Sequence, residues 1–128
     1  MAIYGIGTDI VEVRRMAAIL ARHGQRFARH LLSPLEWPEF DASTFPARFL
    51  AKRFAAKEAF AKATGLGLRH PVSLTRLTIT HDALGKPGIA WDGALGAWLA
   101  EQGIVACHLS VSDEKELVAA FVVLEARG

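Results

Sequence analysis

One acid stands among five cations in the stretch Arg48-Phe-Leu-Ala-Lys-Arg-Phe-Ala-Ala-Lys-Glu-Ala-Phe-Ala-Lys62: Glu58, with Arg48, Lys52, Arg53, Lys57 and Lys62 around it. On a helix turning about 100° per residue, Glu58 and Lys62 fall about 40° apart on one face, with Arg48, Ala51 and Ala55 beside them. A carboxylate, two or three cations and small alanines leave room for a bulky anion, and a metal-bridged phosphate fits. The same spacing is that of an ordinary i,i+4 pair, which adds about 0.2–0.5 kcal/mol to a helix and needs no ligand.

Asp9 is the second unusual acid. It follows Ile6-Gly-Thr8 and precedes Ile10-Val11, so the strand pattern puts it in or at the edge of a dry environment. A carboxylate there needs a cation, a hydrogen-bond donor or a metal, although capping the next helix is an equally everyday role. Asp9 and Glu58 together would make a sparse oxygen site, which magnesium accepts when waters and substrate phosphates complete its octahedron. No paired His/Cys spacing resembles a zinc site.

His108-Leu-Ser-Val-Ser-Asp113 is the third candidate. On a strand His108, Ser110 and Ser112 share one face, while Leu109 and Val111 point to the core. That polar face could contact phosphate or simply be solvated. The first helix is expected to carry Arg14, Arg15, Arg22, Arg26 and Arg29, with Met16, Leu20 and Phe27 between them. A basic face with exposed apolar residues suits docking of an acidic protein, and a solvated face would explain the charges alone.

The elements that must position these groups follow from periodicity. Residues 2–11 read as a buried strand whose glycines allow close backbone approach, and a helix follows to His23, ended by Gly24. Ser33-Pro-Leu-Glu36 is a capping box with proline at the first helical position. The long helix begins near Thr44-Phe-Pro46 and stops at Gly65, with Leu50, Phe54 and Ala61 on one apolar stripe and Phe49, Ala56 and Phe60 on another. A helix apolar on two sides is central. Ser73–Thr80 alternates as a strand, Asp82–Gly88 connects a hairpin, and Ile89–Trp91 returns. A helix over 93–102 and strands over 104–112 and 117–124 complete an α+β arrangement: a largely antiparallel sheet packed on a long central helix.

The chain of 128 residues is expected to form one domain, 1–128. Its formal net charge is only +2 but uneven: residues 1–62 hold ten Lys/Arg against six Asp/Glu, and the rest five against seven. The basic half points to an acidic partner or polyanionic substrate. A nucleic-acid partner is not expected, because no aromatic stacking set accompanies the cations. The lone Cys107, in an apolar run, suits a structural thiol in a reducing compartment. No basic segment precedes the short apolar start, and no apolar run nears the ~20 residues that span a bilayer. A cytoplasmic protein without membrane contact is expected.

Three segments together resemble the holo-[acyl-carrier-protein] synthases, small trimeric 4′-phosphopantetheinyl transferases. They are Gly5-Ile-Gly-Thr-Asp-Ile-Val-Glu12, the helix Arg48–Gly65, and Gly85-Lys-Pro87 with His108–Asp113. The resemblance implies that phosphopantetheine passes from coenzyme A to a serine of apo acyl carrier protein in fatty acid biosynthesis, releasing adenosine 3′,5′-bisphosphate. It implies that Asp9 and Glu58 are magnesium ligands and that Lys62 neutralises phosphate charge. Arg48, Lys62, Gly85, Lys86, Pro87 and His108 would contact the coenzyme, with Asp9, Glu58, Lys62 and His108 forming the catalytic set. Arg15, Arg22, Arg26 and Phe27 would receive the carrier protein. A homotrimer with coenzyme A at each interface is implied as well. The serine proton would go to a water held by Glu58 or, failing that, by Asp9. Two departures stand out: Asp113 replaces a frequent histidine and is given no catalytic role, and Leu84 replaces the usual asparagine before Gly-Lys-Pro. The competing reading is a non-catalytic nucleotide or nucleic-acid binder.

Overall fold

In the computed structural model, which describes residues 1–128, strand β1 (Ala2–Glu12) runs directly into helix α1 (Val13–His23). Gly24, at φ +56°, breaks the chain into α2 (Gln25–Leu31). A 3₁₀ turn, Pro34–Glu36, and the short α3 (Trp37–Asp41) lead to the central α4 (Pro46–Thr64). Pro46 opens α4, where a missing N–H costs nothing, and Gly65 ends it in the left-handed region at φ +82°. Then come β2 (Leu77–His81), β3 (Pro87–Trp91), α5 (Gly93–Glu101), β4 (Ile104–Asp113) and β5 (Leu117–Ala126).

The strands form two antiparallel sheets rather than one, β1-β5-β4 and β2-β3. Strand β2 is also shorter than its alternation suggests, because Leu74–Arg76 is a 3₁₀ turn. Helix α4 lies across the inner face of the three-stranded sheet, presenting Ala51, Ala55, Ala59 and Ala63, all buried at i,i+4 spacing. The opposing strand positions are equally small. A Cβ on Gly7 would lie 1.9 Å from the Ala59 carbonyl oxygen, and one on Gly5 would lie 2.0 Å from that of Ala63. Only glycine fits there, and strand and helix meet backbone to backbone. Two strand residues rise ~6.7 Å and four helix residues ~6 Å, so the two ladders keep step.

That packing corrects one expectation. Ala51 and Ala55 are fully buried under the sheet and leave no space for a ligand. The other side of α4 packs Leu50 and Phe60 against the remaining elements, so the helix is buried on two sides. The outer face of the sheet is apolar and open: Ile3, Ile6, Ile10 and Phe121 are 68%, 58%, 66% and 45% exposed.

Candidate active site

With Gly5 locked to Ala63 and Gly7 to Ala59, the next inward residue of β1 is Asp9, beside the helical turn that carries Ala55, Glu58 and Lys62. Lys62 Nζ donates to the Thr8 carbonyl at 2.9 Å and to Asp9 Oδ1 at 3.1 Å. Burial, then the nearby Asp9 charge, pushes the Glu58 carboxyl above its usual range, against the pull of Lys62. Two acids and one ammonium therefore share a small, half-buried region. Their mutual repulsion is what a divalent cation would relieve. No cluster of three His, Cys, Asp or Glu side chains occurs, so these two acids would need waters and substrate oxygens to complete a shell.

Adjoining Asp9, a cavity of about 220 Å³ is lined by Ile10, Arg15, Met16, Phe27 and Phe54, among others. Arg15 and Phe27, expected to receive a partner, thus share a cavity with Asp9. Arg22 and Arg26 are exposed, and Gly24 divides the basic surface between two helices: Arg26 and Phe27 belong to α2, not to the first helix.

The other expected residues lie apart. His108 pairs in register with Val123, opposite Ile6, and is therefore on the outer sheet face, while Asp9 is on the inner one. Its Nε2 lies 2.5 Å from Glu125 Oε1. Gly85, at φ +86°, turns the β2–β3 connection, whose shape is set by Asp82 Oδ1 accepting from the Leu84 and Lys86 amides, both at 2.9 Å. The Lys86 amide chiefly, with lesser help from Leu84, Gly85 and the Lys86 charge, holds the Asp82 carboxyl below its ordinary range. Leu84 itself points into solvent, 96% exposed. Gly85 and Pro87 line a second cavity of about 160 Å³ with Lys52, Arg53, His81 and Asp113.

Arg48, expected at the coenzyme, turns away from Glu58. Its Nη1 donates to Asp113 Oδ1 and, at 2.7 Å, to the Glu114 carbonyl, and its Nη2 donates to the Lys115 carbonyl at 2.5 Å. Lys52 Nζ lies 3.1 Å from Asp113 Oδ2. Burial works to raise the Asp113 carboxyl, but Lys52 and Arg48 together prevail and hold it low.

Sequence reasoning missed a buried hub. Glu36, read only as half of a capping box, is fully buried: its Oε1 accepts from the Ser33 amide at 2.9 Å and from Lys57 Nζ at 2.6 Å, and its Oε2 from the Ile79 amide at 3.0 Å. Lys57 Nζ also donates to the Leu31 carbonyl at 2.7 Å. Arg53 sits 3.3 Å from Glu36 and stacks over Phe49. Burial pulls the Lys57 ammonium down to about 8 against the attraction of Glu36. The signal was present: Lys57 projects into the stripe of Leu50, Phe54 and Ala61, and a lysine there must be buried and paired. Burial pushes the thiol of the half-buried Cys107 up to about 12.

A family model described as the 4′-phosphopantetheinyl transferase superfamily matches residues 5–122. The holo-[acyl-carrier-protein] synthase of Nitrosospira multiformis is 56% identical over 123 residues, covering 96% of this chain and 98% of that one. The crystal structure of the holo-[acyl-carrier-protein] synthase from Neisseria meningitidis superposes with a TM-score of 0.93 at 54% identity, over 96% of this chain and 98% of that one. A holo-(acyl-carrier-protein) synthase from Bacillus anthracis, solved in complex with CoA (3′,5′-ADP), gives a TM-score of 0.81 at 32% identity, over 99% and 100% of the two chains.

Proposed function

Because this chain belongs to the 4′-phosphopantetheinyl transferase superfamily, and within it to the holo-[acyl-carrier-protein] synthases, we propose that it moves the phosphopantetheine arm of coenzyme A onto a serine of an apo acyl carrier protein. The observation that carries this reading is the pair Asp9 and Glu58, set beside Lys62 by backbone-to-backbone packing of β1 on α4. In the transfer, serine Oγ bonds to the phosphorus bearing the pantetheine arm. The bond from that phosphorus to the bridging oxygen breaks, and adenosine 3′,5′-bisphosphate leaves with the electron pair.

Asp9 and Glu58 would hold a magnesium ion, and their chemistry fits one: two repelling carboxylates with open positions for waters and phosphates. Such an ion, when bound, supplies positive charge against the pyrophosphate. Lys62 Nζ neutralises the charge that grows on the leaving phosphate. The serine proton passes to a water held by Glu58. Gly85, Lys86, Pro87 and His108 contact the coenzyme, and Arg15, Arg22, Arg26 and Phe27 receive the acidic carrier.

Within one chain, His108 and Asp9 lie on opposite faces of the sheet, and the outer face is apolar. Both features support a homotrimer in which His108 and the β2–β3 turn of one protomer complete the acid pair of the next. The whole chain, 1–128, acts as one transferase domain serving fatty acid biosynthesis in the cytoplasm. No helix is long and apolar enough to cross a membrane. The test is to mix the protein with coenzyme A, magnesium and apo carrier protein and to weigh the carrier. A gain of one phosphopantetheine is the expected result, and an unchanged mass overturns the reading in favour of a non-catalytic nucleotide binder.

A further inference from the structure

The β4–β5 turn touches two helices that do separate jobs. Arg48 of α4 reaches it through Asp113 and the successive carbonyls of Glu114 and Lys115. The next carbonyl, Glu116, accepts from the Val13 amide at 2.9 Å, the first N–H of α1. This acceptor matters because α1 has no side-chain cap of its own, and an unpaired first-turn amide destabilises a helix start. The turn also closes on itself, the Glu114 amide donating to the Leu117 carbonyl at 2.9 Å. Arg48 further lines a groove that Val13, Ala17 and Leu20 of α1 line from the other side. A planar guanidinium fork can hold several acceptors at fixed angles, which a lysine cannot.

We propose that Arg48 is a positioning residue for the carrier-docking helix: by fixing the 113–116 turn to α4, it holds the start of α1 at a set angle to the acid pair. The proposal rests on the reading of α1 as the docking helix. It removes Arg48 from the coenzyme contacts, since three of its N–H groups already bind the turn. The cavity lined by Gly85 and Pro87 does not include it.

Two measurements on Arg48→Met and Arg48→Lys test it. Amide hydrogen exchange, which needs no activity, should quicken at residues 13–16 and 114–117 in Arg48→Met while the strands stay protected, with Arg48→Lys intermediate. Steady-state kinetics should show the KM for carrier protein rising several-fold with little change in the KM for coenzyme A. Unaltered exchange at residues 13–16 overturns the linkage, and a rise confined to the coenzyme KM overturns it in favour of direct coenzyme contact. If the wild-type protein transfers nothing, the functional reading fails, and the exchange data still decide whether Arg48 holds α1.

Discussion

Lys57 and Lys62 occupy one helix five residues apart, yet the fold gives them opposite surroundings: Lys57 is fully buried on Glu36, and the Lys62 side chain is 52% exposed beside Asp9. Removing Lys57 takes the nearest cation from the buried Glu36 and leaves it on Arg53 and two amides, so Lys57→Ala should cost about 3 kcal/mol in denaturant unfolding. Lys62→Ala should cost less than about 1 kcal/mol and still cripple transfer. Equal stabilities for the two variants would contradict the assignment of one lysine to structure and the other to chemistry. Glu58 makes the opposite case, a residue whose ionised form the metal-free fold disfavours. Its folded pKa is raised, so as pH climbs the unfolded chain releases this proton first. Glu58 therefore lowers the stability of the metal-free protein from about the ordinary 4.5 up to its raised value. Glu58→Gln should lack that decline, melt at or above wild type at pH 7 without metal, and lose transfer. A glutamine variant melting well below wild type would mean that Glu58 is structural. Glu58, Asp9 and Lys62, which the fold brings together, stood out in the sequence because an acid among cations and an acid in a dry strand are both anomalous. The destinations of Arg48 and Arg53 were not, because each depends on a partner, Asp113 or Glu36, that only the fold brings near.

At the scale of elements, the contact of β1 with α4 fixes the distance from Asp9 to Glu58. The Gly5 and Gly7 contacts admit no Cβ. Gly7→Ala must push the strand off Ala59, at a cost of about 1–3 kcal/mol for overpacking against backbone, and should reduce transfer beyond what lost stability explains. A Gly7→Ala protein with wild-type melting temperature and turnover would show that the approach is not tight. Apart from α2 (Gln25–Leu31), the order of elements was readable from period and caps: Pro46 and Gly65 bracket α4 as their chemistry requires. The division into two sheets and the 3₁₀ turn at Leu74–Arg76 were not, since alternation over 73–80 looks the same whichever neighbour the strand pairs with.

At the scale of the whole molecule, the proposed assembly of copies that complete one another's sites would account for both the open apolar sheet face and the separation of His108 from the acid pair. Phe121→Glu, on that face, should convert a trimer to a monomer in sedimentation and abolish transfer without unfolding the chain. A fully active monomer would contradict shared sites. Asp9 and Glu58 are proposed to hold together the divalent ion on which transfer depends. The most direct test of that proposal is the transfer rate against magnesium concentration for wild type, Asp9→Asn and Glu58→Gln. The wild-type curve should saturate and fall to baseline with chelator, and both variants should be slower by at least about 100-fold across the range. Variant curves that reach the wild-type rate at high magnesium would contradict it.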